Sequence, residues 1–365
     1  MTDSRTLPAD WSDQRWQDLA HTWAADHLGR AGRRITGPAQ GRLRPWSLVW
    51  RLPTDAGPYW FKANNAGTRF EAGLLGALAR IAPGRVPEPV AVDAERGWAL
   101  LPDGGETLQD ALARDRDPAA WERALTGYAA LQRATAPLAG ELLALGVPDH
   151  RPEAMPGLLA GLLDDREAMR VGAPDGLAPQ TYERLRAFVP EFEARCRRLA
   201  SFGVPAGVQH DDLHDGNVFA ADHRVFDWGD ASLAHPFGTL LVAPNSVAYS
   251  FELPAGDPVL ARLRDAYLDA WTDRHDRADL REAADLAVTV AKVSRSLSWR
   301  RALCTPDPAR AEYAGRSLAG SPSCSSRTVG SRGPPRRLPV PLQSAPGRTT
   351  TWSARRRAPY GSPAR

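Results

Sequence analysis

A change of residue periodicity at Pro102-Asp103-Gly104-Gly105 divides the chain into two materials. Before it, residues 46–52 and 58–63 alternate as strands do, with Thr54-Asp55-Ala56-Gly57 as a hairpin turn between them. Val90-Ala91-Val92 and Trp98-Ala99-Leu100-Leu101 form a second strand pair around Glu95-Arg96-Gly97. Thr68 to Ala82 has helical spacing, with Phe70, Leu74, Leu78 and Ile81 inward and Pro83-Gly84 as its stop. A leading helix is expected over 11–28, with Trp16, Leu19, Ala20, Trp23 and His27 on its buried stripe. After the break the chain reads as helices. Pro118 to Thr135 places Trp121, Leu125, Tyr128 and Leu131 on one face, and 155–165, 179–200, 257–273 and 278–303 follow. Strands gathered before a linker and helices after it predict an α+β fold in two parts. The expected divisions are a β-rich part over 1–101, a helical part over 102–316 and a tail over 317–365.

The tail is a different material. Ser, Pro, Gly and Arg fill 31 of its 49 positions, with nine Arg and no acidic residue. Such a segment buries too little apolar surface to offset ordering, so disorder is expected. Arginine can hold nucleic acid electrostatically. Without regular aromatic interleaving, however, a solvated tail or an out-of-frame translation is the plainer reading, and a nucleic-acid partner is not expected. The other 316 residues carry a net charge of −6. Their apolar content supports a large core, and no apolar run is long enough for a membrane span. The first residues lack the basic start and apolar middle of a signal peptide, so a cytoplasmic protein is expected. Three Cys have no metal-ligand spacing. No segment specifies an oligomeric state. Lysine occurs twice, at 62 and 292, against 44 Arg, so a lysine within a strand invites a chemical explanation.

The helical part is interrupted by a turn-rich run, Val208-Gln209-His210-Asp211-Asp212-Leu213-His214-Asp215-Gly216-Asn217-Val218-Phe219. Val218-Phe219 and Val225-Phe226 suit two short strands, which would return Asp227 to the neighbourhood of Asn217. Phosphoryl transfer needs a carboxylate to receive the acceptor hydroxyl and oxygen ligands for a magnesium ion that screens the phosphates. Asp212, Asn217 five residues later, and Asp227 after the hairpin supply those groups. The Asp-x-x-x-x-Asn spacing is that of the protein-kinase catalytic loop.

The composite His210-x-Asp212-Leu213-His214-x-Gly216-Asn217, followed by Asp227-Trp228, resembles the aminoglycoside phosphotransferase family. The resemblance covers roughly residues 35–315. It implies a two-lobed, protein-kinase-like fold with a small β-rich lobe and a larger helical lobe, ATP and Mg²⁺ as cofactors, and a small-molecule hydroxyl as the acceptor. It makes Asp212 the catalytic base, Asn217 and Asp227 the metal ligands, and His210 and His214 loop-shaping residues. Lys62, in Tyr-Trp-Phe-Lys62, and Glu71, in Arg-Phe-Glu71, resemble the strand lysine and helix glutamate that meet the nucleotide phosphates. Leu101, within Leu100-Leu101-Pro102-Asp103, resembles the hinge whose backbone bonds adenine.

Three positions depart from the family pattern. Gln40 to Ser47 takes the place of the glycine-rich phosphate loop with a single glycine, leaving Ser47 as the candidate phosphate contact. Asp211 stands where a glycine often precedes the base. Ala234-His235-Pro236-Phe237-Gly238 lacks the acid that often follows Asp-Trp. A nucleotide-binding pseudokinase or regulatory module on the same fold is the alternative. A zinc-hydrolase cluster of His210, His214, Asp212 and Asp215 would need a helix that Gly216 and the hairpin argue against. A frame-shifted end beyond about residue 315 is a third reading of the tail.

Overall fold

The computed structural model describes residues 11–304 apart from Ala168 and Asp175. The expected disorder over 317–365 lies outside those residues. Helix α1 (Gln14–Arg30) starts where the Asp13 carboxylate accepts the Trp16 N–H. Strands β1 (Gln40–Arg44), β2 (Ser47–Thr54) and β3 (Gly57–Asn64) form an antiparallel meander. Helix α2 (Glu71–Ile81) leads on to β4 (Ala91–Asp93) and β5 (Trp98–Pro102), closing a five-stranded sheet in the order β1-β2-β3-β5-β4.

The helical part comprises α3 (Leu108–Asp115), α4 (Ala119–Thr135), α5 (Ala139–Ala144), α6 (Met155–Asp164), α7 (Pro179–Ser201), α8 (Ala243–Phe251), α9 (Pro258–Leu268) and α10 (Arg277–Ala302). A small buried sheet runs through it. Within that sheet β6 (Asp149–His150) lies parallel to β8 (Ser232–Ala234), and β7 (Gly207–Gln209) lies antiparallel to β8. Among the described residues no helix is long and apolar enough to cross a membrane.

Strand alternation splits the interior in two. Leu48, Trp50, Leu52, Phe61, Trp98 and Leu100 face α1 and form a small aromatic core. On the other sheet face Ala99 joins α2 and the helical part in one large core. The expected stripe on α1 is rotated. Gln17, Ala20, Ala24 and Leu28 are buried, whereas Leu19 is 50% exposed. Small alanines let the helix axis approach the aromatic sheet face. Trp16 and Trp23 then sit at its edges, edge-on to Trp98 with centroids 5.6 and 5.7 Å away. Position 40–44, read as the site of a phosphate loop, is a strand, and only Pro45 and Trp46 separate it from β2.

Candidate active site

Lys62 lies opposite Val49 on β2 and Ala99 on β5. Side-chain alternation puts it on the sheet face turned away from α1, with Ser47, Val49 and Leu101. Glu71, 5% exposed, opens α2. The Lys62 ammonium reaches its carboxylate at 2.6–2.7 Å and Oδ1 of Asp227 at 2.6 Å. Asp227 has a left-handed φ of 66°, which turns the chain so that the next N–H, of Trp228, donates to Glu71 Oε1 at 2.9 Å. One ammonium therefore joins sheet, helix and the far end of the turn-rich run. Burial works against the Lys62 charge, but Asp227 and Glu71 outweigh it and hold its pKa above the usual lysine range. Asp227 is held below the usual carboxylate range because Lys62 overcomes its desolvation. Glu71 moves upward, since burial dominates over Lys62.

The run itself is a braced loop. Strand β7 delivers His210, which is 0% exposed. Its N–H donates to the Tyr128 hydroxyl at 2.8 Å. Its Nε2 meets the Phe226 carbonyl at 2.9 Å, and its Nδ1 accepts the Asp212 N–H at 3.3 Å. Burial pushes its pKa down, which suits a neutral ring bonded at both nitrogens. His214 Nδ1 accepts the Gly216 N–H at 3.0 Å and caps the short turn Asp215–Asn217. Both His210 ring nitrogens and His214 Nδ1 are thus occupied in shaping the loop, His214 Nε2 has no hydrogen-bond partner among the described residues and lies 3.8 Å from Asp212 Oδ2, and the loop is not the helix a zinc pair would need. Asn217 donates its side-chain N–H to the Asp212 carbonyl at 3.0 Å, and its own carbonyl accepts the Phe226 N–H at 3.0 Å. The expected hairpin is present as a bridge between Val218 and Val225. Asp212, Asn217 and Asp227 are therefore drawn to one place.

Ser47 is 3% exposed at the start of β2, opposite Asn64. It shares the Lys62 face and closes the β1–β2 turn opposite Arg44. Leu101 sits opposite Trp60, just before the linker. Beside the linker, Phe219 and Phe226 stack with centroids 4.4 Å apart, both half-buried. A Cβ on Gly104 would overlap the Phe219 ring. The pair makes an apolar floor against the segment that joins the two parts.

Sequence reasoning missed Arg295 of α10. Its Nη2 lies 2.7 Å from Oδ1 of Asp212, and its Nη1 lies 3.0 Å from Oδ2 of Asp230. An arginine on an amphipathic helix reads as a surface charge. The available signal was its company: Ser294 and Ser298, one turn apart beside it, are small, polar and buried, which marks a helix face packed on polar structure.

The fold is that of a kinase-like phosphotransferase. A family model described as the phosphotransferase enzyme family, APH, matches residues 44–280, and the chain belongs to that family. Among solved structures, an ethanolamine kinase from Plasmodium vivax aligns with a TM-score of 0.55 at 11% identity, covering 84% of this chain and 89% of that one. A choline/ethanolamine kinase family protein from Mesorhizobium loti aligns with a TM-score of 0.52 at 18% identity, covering 83% and 93%. At those identities the likeness is one of fold. A comparison with curated protein sequences finds no match.

Proposed function

We propose that the chain transfers the γ-phosphoryl group of ATP to a hydroxyl of a small molecule. The observation that carries this reading is the Lys62–Asp227 ion pair, which links the sheet to the loop holding Asp212 and Asn217. The β-rich part, ending near residue 101, would cover the nucleotide, and the helical part would present the acceptor. The base would lie over Phe219 and Phe226, with the backbone near Leu101 as its hydrogen-bonding edge. Lys62, aligned by Glu71, would meet the α- and β-phosphates.

The donor set suits magnesium. Asn217 spends its amide N–H on Asp212, which leaves its amide oxygen as the atom that would ligate the ion, and Asp227 adds a carboxylate that Lys62 keeps ionised. Magnesium bound there would neutralise phosphate charge. In the reaction, the acceptor oxygen bonds to the γ-phosphorus as the bond to the β,γ-bridging oxygen breaks. The electron pair leaves with ADP, and the acceptor proton passes to the Asp212 carboxylate. The net charge of −6 over the first 316 residues favours a cationic acceptor such as an aminosugar, a choline-like compound or an amino alcohol.

Screening such compounds by ADP release identifies the acceptor. With it in hand, Asp212→Asn should lower turnover by about 10²–10⁴-fold while Mg·ATP still binds. Turnover at the wild-type rate would remove Asp212 from its assigned role. The pseudokinase alternative draws on the β1–β2 turn, where Trp46 packs edge-on against Trp299 instead of offering a glycine-rich flap. Equal Mg·ATP hydrolysis by the wild-type chain and Asp227→Ala would favour it.

A further inference from the structure

Consecutive residues of α10 grip consecutive residues of the turn-rich loop. The Ser294 hydroxyl donates to Oδ2 of Asp211 at 2.9 Å, and Arg295 bonds Oδ1 of Asp212 at 2.7 Å. One turn further along, Trp299 lies under the Arg295 guanidinium, 5.4 Å from ring centroid to Cζ. Asp230 holds its other edge at 3.0 Å. The side chains of Arg295 and Asp212 are 15% and 13% exposed. The guanidinium is thus fixed on three sides, on a rigid 26-residue helix.

We propose that Arg295 is a positioning residue for phosphoryl transfer, which sets the orientation of the Asp212 carboxylate toward the acceptor hydroxyl. The inference rests on Asp212 as the group that receives the acceptor proton. The peptide of Asp212 is already held, its N–H by His210 and its carbonyl by the N–H groups of His214 and Asn217. What remains to be fixed is the carboxylate, and a planar guanidinium that holds Asp212 with one nitrogen and Asp230 with the other anchors its Oδ1 more firmly than a point charge on a flexible stem would. A helix also sets such a group more precisely than a loop can. Small errors in the placement of a reacting group cost large factors in rate, so the contribution falls on turnover and not on nucleotide binding.

The test uses the full chain, with Mg·ATP as the probe and water as the acceptor. Arg295→Met should lower kcat at least about tenfold with the KM for Mg·ATP unchanged, and Arg295→Lys should recover part of the loss. Asp230→Ala, which removes the guanidinium's second anchor and leaves Asp212 intact, should give an intermediate fall, and it decides the matter if Arg295→Met does not fold. A rate equal to or above wild type in these variants overturns the proposal, the faster rate marking an inhibitory contact. So does a joint loss of kcat, KM and melting temperature that lysine does not relieve, the mark of a strut. Wild-type hydrolysis that Asp212→Asn leaves unchanged would instead overturn the reading of Asp212, and this proposal with it.

Discussion

Asp211 carries the sharpest local conflict in the site. Its φ is 59°, a left-handed conformation that glycine adopts freely and most side chains resist. That explains the preference for glycine at this point of the family pattern. The chain places an aspartate there because the side chain is used: its Oδ2 accepts from Ser232 at 2.6 Å and from Ser294 at 2.9 Å, and His150 Nδ1 lies 4.0 Å away. Burial pushes the Asp211 pKa up to about 6, although both hydroxyls oppose the rise. Burial likewise pushes the His150 pKa down to about 3, leaving that ring neutral. The folded chain therefore keeps the Asp211 proton at pH values where the unfolded chain has lost it. The resulting stabilisation is full below about pH 4 and is lost as pH rises to about 6, a change of about 3 kcal/mol. Asp211→Asn carries no such proton. Its stability relative to wild type should rise by about 3 kcal/mol between pH 4 and pH 7 in urea titrations. A difference that stays flat across that range would show that Asp211 does not titrate there.

The linker and its neighbours illustrate what elements reveal and conceal. The break at 102–105 is legible because proline and two glycines end the strand pattern. The need for glycine at 104 is not legible, since it comes from the Phe219 ring and not from the backbone angle. Gly104→Ala should destabilise the chain by about 1–3 kcal/mol and weaken Mg·ATP binding, and Phe219→Leu in the same chain should recover stability. Thermal melts with and without Mg·ATP check both parts; an unperturbed Gly104→Ala would mean that the ring moves aside without cost. The long helices were readable from period alone. Strand β1, with its exposed Gln-Gly-Arg-Leu-Arg pattern, was not, and neither were β6 and β8. Two- and three-residue strands have no period to read. They exist because of distant pairing, as when the Leu233 N–H donates to the Pro148 carbonyl at 2.8 Å.

At the scale of the molecule, α10 runs from the floor of the helical part up to the sheet. Its last turn accepts a hydrogen bond at the Ala302 carbonyl from Asn65 at 2.8 Å, and Trp299 meets Trp46 of the β1–β2 turn. Gly67 allows this approach, because a Cβ there would overlap the Arg301 carbonyl. Gly67→Ala should push the helix end from the sheet, cost about 1–3 kcal/mol and lower the melting temperature, with Mg·ATP binding weakened as well. An unchanged melting temperature would mean that the two parts do not depend on this seam. The sequence by itself determined the long helices and the strand pairs before residue 102, and it singled out the carboxylates, amide and lysine proposed here for phosphoryl chemistry. Each of those rests on a short-range pattern of residue type and spacing. Only the tertiary structure decided which side of α1 is buried, why position 211 tolerates an aspartate, and that Arg295 stands beside Asp212. Those depend on contacts between residues 83 or 165 positions apart, such as Arg295–Asp212 and Lys62–Asp227, and no local periodicity encodes which distant surface a side chain will meet.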